Sequence, residues 1–280
     1  MRGGAAIPVM LALAGCGTAL PRPAPAPLHG VVSLDYCADQ MVLGLVPRAR
    51  IRAVSPEADS DAVFSVPRAR GIARLRPSLE EIAALRPRIA VRMYGGTPGI
   101  DRRLTALGII VIQLQPANSL ADVPRELARV GAALDAAPQA AAYSVRFTAA
   151  LAEARNAAMG TRPSLLYVTP GDVTTGGDGF VGDLIHTAGF RSVRSAAGWG
   201  SLPIEAMVRR RPDAVLRAFF DSPRYQQDHW SSSAHPLLRH LTTGVPTATV
   251  PGSALGCGNW LSGDALAALT RLRKTLGRPS

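Results

Sequence analysis

The sequence predicts an α/β protein of two similar lobes, in which βαβ units form parallel sheets and one long, rigid interlobe helix joins the lobes. Three observations predict this architecture. Strand-like apolar runs alternate with helix-like segments, one helix–proline–strand unit occurs twice, and a single alanine-rich stretch near the middle is long enough for an isolated helix. Such alternation is typical of parallel sheets covered by helices.

Dense apolar runs open the two halves of the chain. They are GVVSL at 30–34 and SLLYVT at 164–169, and both have the length and composition of central strands that are buried on both faces. Further strands are predicted at 51–55, 109–114 and 247–250, and helices at 38–44, 100–107, 182–188 and 263–276.

A repeated unit predicts that the two lobes share one construction. In SLEEIAALRPRIAVR and PIEAMVRRRPDAVLR, an acidic residue stands seven positions before a proline, Glu80 before Pro87 and Glu205 before Pro212. Apolar residues recur at helical spacing in both segments. Each helix is expected to end at Arg-Pro, because the residue before a proline avoids the helical conformation. A strand-like run follows in both copies.

The stretch 136–160 is predicted to form the helix between the lobes. Pro138 lies near its first turn, and Gly160 marks its end. About twenty residues at ~1.5 Å each make a rod of ~30 Å. We expect one such helix to resist large hinge motion.

The beginning of the chain predicts export. Residues 1–15 have one basic residue and an apolar run too short to span a bilayer, which is the layout of a signal peptide. The motif LAGC fits a bacterial lipobox and predicts that Cys16 is lipidated; an ordinary signal with an incidental cysteine is the alternative. The Pro/Ala-rich segment 16–28 then serves as a tether. The lobes are predicted at 29–135 and 161–280, in a periplasmic protein anchored to a membrane by lipid.

The chain is strongly basic, with a formal net charge of +11, and Lys274 is its only basic residue that is not arginine. In an exported protein this charge indicates anionic small molecules or an acidic membrane surface as partners, rather than nucleic acid. The plainer interpretation is a solvated, arginine-rich surface.

Residues 29–276 resemble the class III periplasmic substrate-binding proteins of ABC importers, which are receptors for ferric siderophores, haem and cobalamin. The motifs VVSLDYCADQMVLGL, PSLEEIAALRPRIAV and LPIEAMVRRRPDAV carry the resemblance, together with the lipobox. It implies a monomeric binding protein that captures a metal chelate or corrinoid and delivers it to an ABC permease in the inner membrane. It implies neither enzymatic activity nor a cofactor.

In this family, one glutamate on each lobe binds arginines of the permease. By motif, these are Glu80 and Glu205, and two separated carboxylates suit bidentate contacts with guanidinium groups. The alternative is that both are ordinary exposed acids at helix starts, where the helix dipole favours them. Glu81 competes with Glu80 for the role.

The ligand is expected beyond the carboxyl ends of the strands, as in other parallel α/β lobes. This rule gives the predicted ligand-binding residues Tyr36, Cys37, Tyr94, Gly95, Asp172, Phe219, Phe220, Asp221 and Trp260. Trp199 and Phe180 lie on loops that flank the same groove. The motif GDGFVG around Phe180 is interpreted as a groove loop, not a dinucleotide-binding turn. Aromatic side chains with a few polar groups suit a flat or macrocyclic ligand, and arginines around the groove favour an anionic one.

Two cysteines, Cys37 and Cys257, are left once Cys16 is assigned to the lipid. In an oxidising compartment they could form a disulfide that fixes the two walls of the groove. They could instead bind a metal centre as thiolates, or remain separate thiols. The sequence leaves these three alternatives open.

Two other functions stay open at this point. One is a periplasmic α/β hydrolase, which needs a nucleophile hydrogen-bonded to a histidine. The other is a receptor for free zinc or manganese, for which His229, His235 and His240 are the candidate ligands. These histidines cluster on a polar turn before a short helix, whereas a metal site of that kind needs ligands from several strand ends.

Overall fold

The computed structural model describes residues 29–60, 66–171, 173–220 and 236–277. The N-terminal lobe contains β1 (Val31–Ser33), α1 (Tyr36–Leu45), β2 (Ile51–Val54), α2 (Val66–Ala69), β3 (Ala73–Arg74), α3 (Leu79–Leu85), β4 (Ile89–Arg92), α4 (Ile100–Ala106), β5 (Ile110–Gln113) and α5 (Asp122–Ala133). The helix α6 (Ala137–Ala157) leads to the C-terminal lobe. That lobe contains β6 (Ser164–Val168), β7 (Val173–Thr175), α7 (Gly179–Thr187), β8 (Arg191–Ser192), β9 (Trp199–Ser201), α8 (Ile204–Arg209), β10 (Ala214–Ala218), α9 (Pro236–Thr242), β11 (Thr247–Val250) and α10 (Ser262–Leu276).

Within the described residues, each lobe contains one parallel sheet. The first sheet has the order β3-β2-β1-β4-β5, and the second has the order β11-β10-β6-β8. Reading the second sheet backwards matches β8, β6, β10 and β11 to β2, β1, β4 and β5. The predicted two-lobed α/β fold with parallel sheets is therefore confirmed.

The repeated unit occupies equivalent places in the two lobes. In the first copy α3 leads through Pro87 into β4, which pairs with β1, and in the second copy α8 leads through Pro212 into β10, which pairs with β6. The strands β1 and β6 are buried along their whole length, because helices cover both faces of each sheet. The two copies of the repeat therefore have the same place in the strand order of their lobes, in addition to the same local motif.

The interlobe helix α6 fixes the two lobes to one continuous core. Its buried residues Ala140, Phe147, Leu151 and Ala154 are seven, four and three positions apart, which places them on one stripe of the helix. This stripe packs against α5 of the first lobe and α10 of the second. A Cβ added at Gly263 of α10 would lie 3.7 Å from the Phe147 ring, so the small residue allows the two helices to approach closely.

One feature of the C-terminal lobe is not predicted by the sequence pattern. The strands β7 and β9 pair antiparallel and form a two-stranded ribbon apart from the main sheet. Both strands are only three residues long, which is too short for a clear alternation of apolar and polar residues. Within the described part of the chain, no helix is long and apolar enough to cross a membrane.

Candidate functional site

A cavity of about 270 Å³ lies between the lobes, at the carboxyl ends of the strands. The N-terminal half contributes Met93 and the loop 116–118, which follow β4 and β5. The C-terminal half contributes Thr175, residues 178–181, Trp199 and the loop 255–258. A cleft lined from both lobes at this edge of the sheets is where α/β proteins of this kind hold ligands.

Two larger cavities lie elsewhere, and neither of them lies between the carboxyl edges of the two sheets. One of about 480 Å³ lies between β11 and α10, inside the C-terminal lobe. The other, of about 390 Å³, lies between α6 and the start of α10. Position, not size, therefore identifies the interlobe cavity as the candidate site.

The carboxylate of Asp35 organises the N-terminal wall of the cleft. Its Oδ1 accepts a hydrogen bond from Ala38 N (2.9 Å) at the start of α1. Its Oδ2 accepts from the backbone N–H groups of Met93 (2.7 Å), Tyr94 (3.1 Å) and Gly95 (2.9 Å). One buried side chain thereby ties the loop after β1 to the loop after β4. The role of Asp35 is therefore to position its neighbours.

The predicted residues Tyr36 and Tyr94 are not in the cavity lining and lie together beside two residues that are, Gly256 and Met93. Their ring centroids are 5.5 Å apart, and Tyr36 OH donates to the carbonyl oxygen of Gly256 (3.3 Å) across the lobes. Tyr94 OH donates to Glu57 Oε2 (3.2 Å), while nearly half of the Tyr94 side chain stays exposed. Burial of the phenol raises the pKa of Tyr94, and the neighbouring Tyr36 and Glu57 raise it further. Tyr94 therefore presents a neutral hydroxyl and an aromatic face.

The opposite wall presents Trp199, which is 58% exposed. Its indole lies on the β7–β9 ribbon, 6.0 Å from the ring of Tyr167 in an edge-on arrangement. Asp178 Oδ1 accepts a hydrogen bond from Gly198 N (2.7 Å), which fixes the residue before Trp199. The sequence predicts that Trp199 and Phe180 flank the groove, and both line the cavity.

Side chains of α1 are bonded to the loop of the C-terminal lobe that lines the cavity. Cys37 and Cys257 form a disulfide with Cα atoms 5.5 Å apart. Gln40 Nε2 donates to the carbonyl oxygen of Ser253 (3.3 Å), and Asn259 Nδ2 donates to Gln40 Oε1. We call these five residues the interlobe clasp. It fixes a wall of the cavity that belongs to the second half of the chain onto a helix of the first half.

Trp260 does not line the interlobe cavity, although it was predicted to bind ligand. It is buried and stacks on Tyr143 of α6, with the ring centroids 4.7 Å apart. The chain turns into α10 directly after the clasp, and this turn directs the indole toward α6. Trp260 is therefore a packing residue at the hollow between α6 and α10.

Gly95, Phe219 and Phe220 also fall outside the cavity lining. A side chain at Gly95 would overlap the carbonyl oxygen of Leu34, so close packing explains the glycine. Phe219 has φ of +68° at the end of β10 and packs with its ring against Gly252. The ring of Phe220 lies 4.1 Å from the guanidinium of Arg217 and packs against an apolar cluster within the C-terminal lobe.

Several predicted residues lie outside the described part of the chain. They are Cys16, Asp172, Asp221, His229 and His235. His240, the third histidine of that group, is exposed on α9. Among the described residues, no group of three or more histidine, cysteine or acidic side chains is placed to hold a metal ion.

The cavity lining differs from the expectation of arginines around the groove. Among the lining residues that the structure describes, the sole ionisable side chain is the carboxylate of Asp178. Sequence reasoning reached Asp178 only as part of the groove loop GDGFVG, and it missed Met93 and the loop 116–118. The loop could have been found by the strand-end rule, because it directly follows the predicted strand at 109–114.

The predicted docking residues Glu80 and Glu205 are exposed, and each is the second residue of its helix. The helices α3 and α8 run antiparallel to the strands that follow them, so both carboxylates lie at the strand edge that faces the cleft. Glu81 is engaged differently, because it accepts hydrogen bonds from Arg76 N (2.8 Å) and Arg76 Nε (2.9 Å). This leaves Glu80 as the better match to Glu205.

Two parallel α/β lobes, a helix between them and a cleft shared by their strand edges define a bilobal solute-binding protein. The chain belongs to the periplasmic binding protein family, whose model matches residues 31–241. It is thus a class III periplasmic binding protein, as its sequence motifs predicted, and not an enzyme. Among proteins with curated functions, none matches this sequence.

Solved structures share this fold at low sequence identity. The periplasmic heme-binding protein RhuT from Roseiflexus sp. RS-1 matches with a TM-score of 0.71 and 19% identity, over 90% of this chain and 100% of its own. The periplasmic heme-binding protein HutB of Vibrio cholerae has a TM-score of 0.71 and 15% identity, over 89% and 99%. The periplasmic vitamin B12-binding protein BtuF of Vibrio cholerae has a TM-score of 0.66 and 15% identity, over 91% and 100%.

Proposed function

We propose that this protein is the lipid-anchored substrate-binding component of an ABC importer, which captures a metal chelate or corrinoid in the interlobe cleft and delivers it to an inner-membrane permease. The observation that carries the proposal is the cavity between the lobes, with the aromatic side chains of Phe180 and Trp199 in its lining, in a member of the periplasmic binding protein family. Structurally similar proteins that bind heme and vitamin B12 support the same class of ligand.

The ligand would be held by stacking and by hydrogen bonds. Trp199 and Phe180 in the lining, with the half-exposed Tyr94 next to the lining residue Met93, would offer apolar faces to a flat ring system. The neutral phenol of Tyr94 suits hydrogen bonding and stacking better than anionic coordination of a metal. Because α6 and the clasp tie the lobes together, the cleft is largely formed before the ligand arrives, which lowers the entropic cost of binding.

Trp199→Ala is expected to weaken ligand binding about 30-fold, because an exposed indole that stacks on a ring contributes roughly 2 kcal/mol. The purified chain is first screened for a bound chromophore, and then titrated with haemin, cyanocobalamin and a ferric hydroxamate by absorbance. Trp260→Phe is the matched control and should bind within about twofold of wild type, since Trp260 lies outside the cavity. Equal losses in both variants would contradict the proposed cleft, and binding of none of the three probes would contradict the function.

Charge reversal of Glu80 or Glu205 is expected to abolish delivery without affecting capture. Both carboxylates are exposed and neither lines the cavity, so Glu80→Lys and Glu205→Lys should keep wild-type ligand affinity. Uptake of the ligand by cells that carry the cognate permease should fall at least tenfold, because a lysine repels the guanidinium groups that a carboxylate would bind.

Glu153→Lys is the matched control for this experiment. Glu153 is an exposed glutamate on α6 that pairs with Lys274, and a surface pair of this kind contributes little to stability. Its reversal should leave both affinity and uptake unchanged. Normal uptake with both docking variants would refute the docking assignment while leaving ligand capture intact.

A further inference from the structure

We propose, on the basis of the function above, that the cavity selects a chelate or macrocycle whose inserted edge carries uncharged hydrogen-bonding groups such as carboxamides. In this proposal Asp178 is the residue that disfavours ligands with carboxylates at that edge. The substrate class then becomes a neutral, amide-bearing ring system rather than a polyanionic one.

The charge of the cavity opposes the charge of the whole chain. The chain has 31 basic and 20 acidic residues, yet the described lining contains the carboxylate of Asp178 and no arginine or lysine. A ligand edge with carboxylates would meet this like charge, and the described lining offers it no cationic side chain in compensation. Burial of an uncompensated charge is costly.

The carboxylate of Asp178 is an exposed part of the cavity lining. Among the described residues it forms no ion pair, and its Oδ1 accepts an uncharged hydrogen bond from Gly198 N. Arg194 Nε donates to the carbonyl oxygen of Gly198 (3.4 Å) and forms no ion pair with Asp178. Asp178 also precedes α7 without capping it through its side chain.

The remaining polar groups of the lining suit amides. Asn118 and Thr175 each bring a side chain that can both donate and accept hydrogen bonds, and Asp178 can accept from an N–H group. A primary carboxamide has both functions and no charge, so it can satisfy donors and acceptors of this wall together. A carboxylate can only accept, and it would leave the acceptors of the wall unsatisfied.

The test uses pairs of probes that share a ring and differ in the charge of its edge. Dicyanocobinamide is paired with dicyanocobyrinic acid, and haemin is paired with haemin whose two propionates are converted into primary amides. Affinities of the full-length protein are measured by absorbance titration for wild type, Asp178→Asn and the control Asp101→Asn, an exposed acid outside the cavity. Asparagine at 178 keeps an oxygen that can accept from Gly198 N.

For each ring that binds, we expect wild type to bind the amide probe at least tenfold more tightly than the carboxylate probe. Asp178→Asn should narrow this ratio about tenfold, which is the effect of removing one like charge ~10 Å away at an effective dielectric constant near 20. Asp101→Asn should leave the ratio unchanged. A carboxylate member that binds equally well or better, or a ratio unaffected by Asp178→Asn, would overturn this inference alone. Failure of both rings and of a ferric hydroxamate to bind would overturn the proposed function as well.

Discussion

Replacing Cys37 and Cys257 together by alanine is expected to lower the free energy of unfolding by about 5 kcal/mol. The two cysteines are 220 residues apart in sequence, so their disulfide closes nearly the whole described chain into one loop. The constraint on the unfolded chain grows with the logarithm of loop length, which makes a bond of this span among the most stabilising in the chain-entropy model. Alanine avoids leaving a new hydroxyl group in a buried place.

The measurement is denaturant unfolding of wild type and the double variant, with oxidised and dithiothreitol-reduced wild type compared in parallel. Reduction should reproduce the effect of the double substitution, and it should have no further effect on the variant. A Cys16→Ser variant is the control, because it removes the third cysteine and keeps the pair. Thiol titration of this control after unfolding without reductant should detect no free thiol. Two free thiols, or coincident unfolding curves, would contradict the disulfide.

The interlobe clasp affects the candidate functional site as well as the stability of the fold. The loop 255–258 belongs to the C-terminal half by sequence, but its position is set by the disulfide and by Gln40 of the N-terminal lobe. The cavity wall therefore moves with α1. This arrangement, together with α6, explains how a cleft of this size can be held at a constant width between two otherwise separate sheets.

The fold could be predicted from the sequence because its signals are local and repeated. Runs such as those at 30–34 and 164–169 are apolar on both faces, and only a central parallel strand needs that composition. Pro87 and Pro212 follow two equivalent helices, α3 and α8. The repeat therefore predicted that the two lobes share one construction, and their strand orders match. The ribbon of β7 and β9 lacked such a signal, since its short strands owe their pairing to tertiary contacts.

The site could be predicted only in part. The end of a strand places a residue at one edge of the sheet, but it does not tell where the side chain points. Tyr36 and Tyr94 follow β1 and β4 and lie next to lining residues without lining the cavity themselves, whereas Trp260 follows β11 by ten residues and turns away toward α6. Asp178 was not singled out, although the motif GDGFVG that contains it was interpreted as a groove loop. Its hydrogen bond from Gly198 N, directly before β9, is a tertiary contact that no spacing in the sequence reveals.

A buried carboxylate in the N-terminal lobe is expected to make stability depend on pH. Asp39 of α1 is fully buried, and burial raises its pKa to about 6, although hydrogen bonds from Ser33 and Ser55 partly oppose the shift. Because its pKa in the folded protein lies above its ordinary value of 3.8, folding favours the protonated form. The stabilising contribution is complete below about pH 4 and is lost as the pH rises through about 6.

Wild type should therefore lose about 3 kcal/mol relative to Asp39→Asn between pH 3.5 and pH 7.5, at about 1.4 kcal/mol for each unit of pKa. Asparagine cannot ionise and keeps an oxygen that can accept from Ser55 N. Unfolding by urea at several pH values measures the difference between the two proteins, so the titration of other carboxylates cancels. Asp101→Asn, which changes an exposed acid on α4, should run parallel to wild type. If the free energy of unfolding of Asp39→Asn changes with pH in the same way as that of wild type, the carboxyl group of Asp39 does not titrate near pH 6. If wild type instead gains stability over Asp39→Asn as the pH rises, the hydrogen bonds from the two serines outweigh the cost of burying the charge.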